Sequence, residues 1–211
     1  MKKQSVTGLV MMAALLGVLA TGCTTWTAHK GISVTEPEFL TPKLKKQNLL
    51  SNPSFEDSSS LAWTLVSFIS NNNAGRIMPF DKARDGKKVA YFDTGTDHWD
   101  LVSFKQTVRV KPKTKYLFSG WAKFEDVRIG EDGKNGKMGV NLGVEGSWER
   151  SSAMLWGSKD WTYITVILDS GDRTTLDVAA KLGHWTSGCF GKAWFDDMCL
   201  IELPELESTG K

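Results

Sequence analysis

The side chains able to do chemistry are unevenly represented in this 211-residue chain, which holds nine Trp but three Cys and three His. No G-x-S-x-G elbow sets a nucleophile beside His98 or His184, and His29 stands apart in a polar N-terminal stretch. HExxH, CxxC, Walker and GxGxxG patterns do not occur. The acidic pairs Glu125-Asp126, Glu131-Asp132 and Asp196-Asp197 are adjacent in sequence. Neighbours on a strand point to opposite faces, so none of these pairs aims two carboxyl groups at each other across a cleft. Hydrolase or lyase chemistry is therefore the least supported reading. Tryptophan is the excess to be explained, either by packing or by flat rings offered to a ligand.

The N-terminus reads as an address. Lys2 and Lys3 form a short cationic start, Gly8–Ala20 is almost wholly apolar, and Ala20-Thr21-Gly22-Cys23 follows. This is a secretory signal, too short to be a stable transmembrane span. With Cys directly after Thr21-Gly22 it resembles a bacterial lipoprotein signal, residues 1–22, although Ala20 stands where such signals usually carry Leu. The resemblance implies that Cys23 becomes the lipidated first residue, carrying diacylglycerol and an amide-linked acyl chain such as palmitate. More than one acyl chain gives stable anchoring. Thr24 rather than Asp after the Cys implies delivery to the outer membrane. Removing Lys2 and Lys3 leaves 24 cationic against 24 anionic side chains, a neutral protein without a basic run. Nucleic acid is thereby excluded as a partner class.

Residues 23–47, polar and carrying Pro37, Pro42 and the Lys43-Leu44-Lys45-Lys46 run, predict a flexible tether. From residue 48 to 204 no helical period appears. Short β-branched and aromatic runs alternate with Gly, Asn, Asp and Pro clusters, which predicts strands over 63–68, 88–93, 101–110, 115–124, 137–145, 161–169, 175–183 and 192–203. That spacing makes an all-β sandwich. Residues 205–211 form a polar tail.

The order of cues in the body is specific. Asn48-Leu49-Leu50-Ser51-Asn52-Pro53-Ser54-Phe55-Glu56 opens it, then come Trp63, Asp85-Gly86-Lys87-Lys88, and Gln106–Pro112 running into Tyr116–Trp121. Trp161-Thr162-Tyr163 follows, and Ala193-Trp194-Phe195-Asp196-Asp197-Met198-Cys199-Leu200 closes it. This order resembles the jelly-roll carbohydrate-binding modules of families 4, 9, 16 and 22, a galactose-binding-domain-like fold, over residues 48–203. The resemblance implies a non-catalytic module that binds polysaccharide or oligosaccharide. It also implies a structural Ca²⁺ held by Glu56 and Asp196 with carbonyls near Ser54 and Lys87–Lys88, an oxygen set that suits calcium. By period two, Asp196 shares a face with Trp194, Met198 and Leu200, so an inward Met198 would carry Asp196 inward, where a carboxylate needs a partner. Cys189 and Cys199, an even pair in an exported domain, are either a disulfide across the Gly191-Lys192 turn or two free buried thiols.

Sugar rings present an apolar C–H face and polar edges, so a binding surface needs exposed rings beside amides and charges. On the strand from Lys115, Tyr116, Phe118 and Gly120 alternate with Leu117, Ser119 and Trp121, which predicts Trp121 as an exposed ring. On the strand from Lys137, Val140, Leu142 and Val144 face the core, while Gly139, Asn141, Gly143 and Glu145 form a glycine-opened outward face. Trp121, Asn141, Glu145 and the loop residues Trp148 and Trp185 are thus predicted to line a shallow groove on one sheet. Trp63, Trp161 and Trp194 are expected to pack. The alternative is a structural or assembly lipoprotein that binds a protein or peptidoglycan with the same sandwich.

Overall fold

A computed structural model describes residues 30–68, 74–95, 100–129, 139–147, 150–183 and 188–204. Among the described residues ten strands and one helical turn follow in chain order: β1 (Lys30–Ser33), α1 (Pro42–Lys45), β2 (Thr64–Ser67), β3 (Gly75–Pro79), β4 (Lys88–Asp93), β5 (Val102–Arg109), β6 (Lys115–Ile129), β7 (Val140–Val144), β8 (Gly157–Asp169), β9 (Thr175–Leu182) and β10 (Cys189–Glu202). They build one six-stranded sheet, order β1-β8-β6-β10-β4-β3, and one four-stranded sheet, order β2-β5-β9-β7, with every pairing antiparallel. This is the β-sandwich the strand spacing predicts, in the jelly-roll-like form the resemblance implies. The eight expected strands are present, and β1 and β3 are additional.

The two sheets differ in how they use their faces. In the four-stranded sheet the apolar period is clean: Val102, Phe104 and Val108, then Leu176, Val178, Ala180 and Leu182, then Val140, Leu142 and Val144 all enter the core between the sheets. In the six-stranded sheet both faces are apolar. Ala90 and Phe92 of β4 enter that core, while Val89 and Tyr91 pack outside it with Trp194 beneath Met78, Phe80 and Ala83. Leu117, Trp121, Tyr163, Cys199 and Ile201 form a second outer cluster, covered by Phe39, Leu40 and Leu44. Strands buried on both faces read as continuous apolar runs, which is why alternation alone misjudged them.

The covering of that outer face corrects the tether expected over residues 23–47, because residues 30–47 belong to the domain. β1 pairs with β8 from Lys30↔Val166 to Ser33↔Tyr163. Leu40 is buried against Trp121 and Tyr163, a burial that contributes about 1.5–3 kcal/mol. Lys45 Nζ bridges Glu36 at 2.7 Å and Asp197 at 2.8 Å, and Trp121 Nε1 donates to Glu36 at 3.2 Å. Partial burial works to raise the Glu36 carboxyl, but the hydrogen bonds around it hold it below its ordinary value. Thr41 caps α1 by accepting from Leu44 N–H. Cys23, the signal at 1–22 and the tail at 205–211 lie outside the described residues.

The disulfide expectation is also overturned: Cys189 and Cys199 are both free and buried. They lie on one strand, β10, which continues through Gly191 rather than turning there, the extra residue of the register shift at that point lying in β6. Ten residues along a strand separate them by about 30 Å, far beyond the roughly 7 Å between Cα atoms that a bridge can span. A bulge between Asp196 and Cys199 shifts the period, so Cys189 joins the core between the sheets and Cys199 the outer cluster. Burial pushes both thiols up to about 12. Neither thiol will react with a thiol-exchange dye at pH 8 in the folded protein. Both will react once it is unfolded, with the same count whether or not reductant is present, and a count that rises with reductant would contradict this.

Candidate functional site

The outer face of the four-stranded sheet is largely polar, because beside Val66, Ala179 and Gly143 the residues alternating with its core set are Ser103, Lys105 and Thr107 on β5, Asp177 and Lys181 on β9, and Asn141 and Glu145 on and just beyond β7. Register brings them into rows. Ser103 and Asn141 flank Lys181 from either side, and Thr107 lies opposite Asp177. Thr107 Oγ1 donates to Asp177 at 2.6 Å, and Lys105 Nζ stands 3.4 Å from the same carboxylate. Lys181 Nζ donates to Val144 O at 2.9 Å and lies 3.6 Å from Glu145, which also accepts from Ser103 Oγ at 3.2 Å. Burial pushes the Lys181 ammonium below its ordinary pKa, with Glu145 opposing.

Depth varies along this face. Lys181, Asn141 and Ser103 are buried, Lys105, Asp177 and Glu145 are half-buried, and Thr64 and Thr107 are exposed. The deep end is structural. Asn141 Nδ2 donates to the carbonyls of Gly139 and Gly183, and among the described residues no donor reaches its Oδ1. The predicted opening above Gly139 and Gly143 is filled by residues 150–155, whose backbone pairs along β7 through Val140–Leu155 and Val144–Arg150 hydrogen bonds. A Cβ at Gly139 would collide with Leu155 O, and one at Gly143 with Arg150 O. These glycines admit the chain itself, so Asn141 is a loop-holding residue and not a groove contact.

Trp121 is the larger correction. It sits on β6 in the six-stranded sheet, whereas Asn141 and Glu145 belong to the other sheet, so no single groove contains them. Its ring does leave the inter-sheet core, as the alternation predicts, but it is 3% exposed. Tyr163 meets it edge-on at 5.2 Å, the Arg84 guanidinium lies 3.9 Å above it, and Leu40 closes the side. Trp63, Trp161 and Trp194 pack, as expected. Trp148 and Trp185 lie outside the described residues.

Two rings missed by the sequence reading are exposed: Phe68 at 67% and Trp156 at 49%. Phe68 follows β2, and its N–H continues the ladder to Leu101 O, so it extends the outward set Thr64, Val66 at the edge of the polar face. That period was present in the sequence. Trp156 stands where the chain leaves the edge of β7 to enter β8, in a stretch without alternation that gave no signal.

Glu56 and Asp196 both fasten the loop between β3 and β4. Asp196 Oδ2 accepts from the N–H groups of Arg84 (2.6 Å) and Asp85 (3.0 Å), and its Oδ1 from Asp197 (2.7 Å). Glu56 Oε1 accepts from the N–H groups of Lys87 (2.8 Å) and Lys88 (2.6 Å), passing close to Gly86, whose φ of +66° and missing Cβ make room for the carboxylate. Alternation puts Asp196 with Trp194 on the outer side of the sheet, and the β10 bulge after it turns Met198 to the inner side with Phe195, so the burial of Asp196 is under this loop and not in the sandwich core. Burial pushes Asp196 up to about 6 against those three amide hydrogen bonds. Among the described residues no group of three or more His, Cys, Asp or Glu gathers as metal ligands.

A family model described as a carbohydrate binding domain matches residues 47–188, and the chain belongs to that family. Its members are binding modules and not catalysts. Comparison with curated proteins found no match. Among solved structures, the chain is similar to a family 61 module in complex with β-1,4-galactotriose, at 19% identity over 74% of this chain and 99% of that one, TM-score 0.49. It is also similar to a family 4 module, at 17% identity over 73% and 99%, TM-score 0.47. A third likeness is the xylan-binding domain of a Paenibacillus barcinonensis protein, at 11% identity over 72% and 93%, TM-score 0.44.

Proposed function

We propose that this protein is a lipid-anchored carbohydrate binder of the bacterial outer membrane, acting through the outer face of its four-stranded sheet. The observation that carries this reading is the contrast between the two outer faces. That of the six-stranded sheet is apolar and covered by residues 39–44 and 78–83, whereas that of the four-stranded sheet is polar, partly open and edged by an exposed ring. Phe68 and Trp156 supply stacking surface. Lys105, Thr107, Asp177 and Glu145 supply hydrogen bonds to hydroxyl groups. Each such bond replaces one to water and nets little, so stacking dominates and affinity is modest. Retention of the protein on a glycan array, with a defined polysaccharide class bound, supports the reading. An array without a single hit overturns it.

The same reading keeps a structural Ca²⁺ between the opening and closing motifs. A carboxylate offers about four acceptor sites. Asp196 uses three of these on amides and Glu56 uses two, leaving positions for a cation that main-chain carbonyls near Ser54 and Lys87–Lys88 would complete. Removing calcium with EDTA will lower the melting temperature by several degrees, and adding calcium back will restore it. An unchanged melting temperature would leave the amide hydrogen bonds as the whole fastening.

A further inference from the structure

The packing of residues 30–47 fixes where the membrane anchor enters the domain, and with it the way the sandwich stands. β1 runs antiparallel to β8, so Lys30, opposite Val166, lies toward the end at which β8 finishes at Asp169. At that end β6 begins, with Lys115 opposite Asp169. The loops beyond them are tied together there by Lys113 N–H to Gly171 O and Thr114 N–H to Ser170 Oγ. The chain returns to the same end after β10, where Leu203 N–H bonds to Lys115 O. The opposite end carries Phe68, Asp100, Ile129, Gly183 and Cys189.

Only Thr24–His29, six residues, separate Cys23 from β1. A fully extended chain of that length reaches at most about 25 Å. β10 alone, from Cys189 to Glu202, spans about 40 Å between the two ends of the sandwich. A tether running to residue 47 would reach roughly 85 Å and leave the orientation open. The strap shortens the leash below the length of the domain it holds.

We propose that the lipid bilayer is a docking partner of the end of the sandwich at which β1 begins and β8 finishes, so that the module stands upright and its Phe68 end points away from the membrane. The proposal rests on the reading of Cys23 as the lipidated residue. In this posture the polar outer face of the four-stranded sheet runs along the membrane normal and stays open to a chain approaching from the side.

The test uses the full lipidated chain, reconstituted into phosphatidylethanolamine–phosphatidylglycerol vesicles that contain a headgroup-quencher lipid. One fluorophore is placed through Lys115→Cys and, in a second protein, through Lys192→Cys. Both positions are exposed, and buried Cys189 and Cys199 do not compete for label. The Lys115→Cys label is expected to be quenched several-fold more strongly, and a long Gly-Ser insert between Cys23 and Lys30 is expected to abolish the difference. Equal quenching in proteins that float with the vesicles overturns the upright posture alone. Flotation that survives Cys23→Ala, or fails in the unsubstituted chain, overturns the anchor and the posture with it.

Discussion

Trp121→Ala will lower the melting temperature by roughly 10 °C or more, the consequence of losing about 3–5 kcal/mol when a buried Trp is truncated in a domain of this size. The loss has several named parts. Tyr163, Arg84 and Leu40 each lose their contact with the ring, and Glu36 loses the Nε1 donor that helps hold it beside Lys45. The strap of residues 36–45 therefore loosens with the core it covers. Glycan retention by whatever fraction remains folded will be unchanged, because Trp121 lies on the sheet opposite the proposed binding face. Thermal melting by circular dichroism alongside affinity electrophoresis separates the two effects. A variant with normal stability and lost retention would place Trp121 at the ligand instead.

Asp196→Ala is expected to cost about as much, roughly 3 kcal/mol or more, for a different reason. Removing the buried carboxylate takes the acceptor from the N–H groups of Arg84, Asp85 and Asp197, and a donor left without a partner costs about 1–3 kcal/mol where water does not reach it. The loop between β3 and β4 carries Phe80, stacked on Trp194 at 5.9 Å, so its release uncovers the outer apolar cluster as well. Asp196→Asn keeps one acceptor and will lose less. The alanine variant will also lose its melting response to EDTA. Equal stability of Asp196→Ala and the unsubstituted protein would show that the loop is held by its apolar contacts alone.

What the sequence disclosed follows from which signals are local. The clean alternation in β5, β7 and β9 reports one apolar and one polar face directly, and the predicted inward and outward sets of those strands stand. The six-stranded sheet obscured itself, because its outer face is apolar for a reason lying elsewhere in the chain: Phe39, Leu40 and Leu44 return to cover it. Those three residues sit among Lys and Pro and read as a solvated tether until the partner surface is known. A bulge in β10 shifts the period by one at Asp196–Cys199, where Asp197 adopts a φ of +47°. A period-two reading carried across it put Asp196 on the wrong side, and reading Gly191-Lys192 as a turn set Cys189 and Cys199 in reach of each other. Gly139 and Gly143 illustrate a further limit. A missing Cβ announces close approach, but not whether a ligand or the chain itself approaches.

The central claim is that carbohydrate meets this protein on the outer face of the four-stranded sheet. Affinity electrophoresis in the polysaccharide identified by glycan array tests it most directly, with the double substitution Phe68→Ala and Trp156→Ala compared with the unsubstituted protein. Phe68 is largely and Trp156 about half in solvent, so the fold should be kept with a small fall in melting temperature, and the loss of stacking surface should abolish retention. Undiminished retention in a normally folded double variant would contradict the account and move the binding surface off this face.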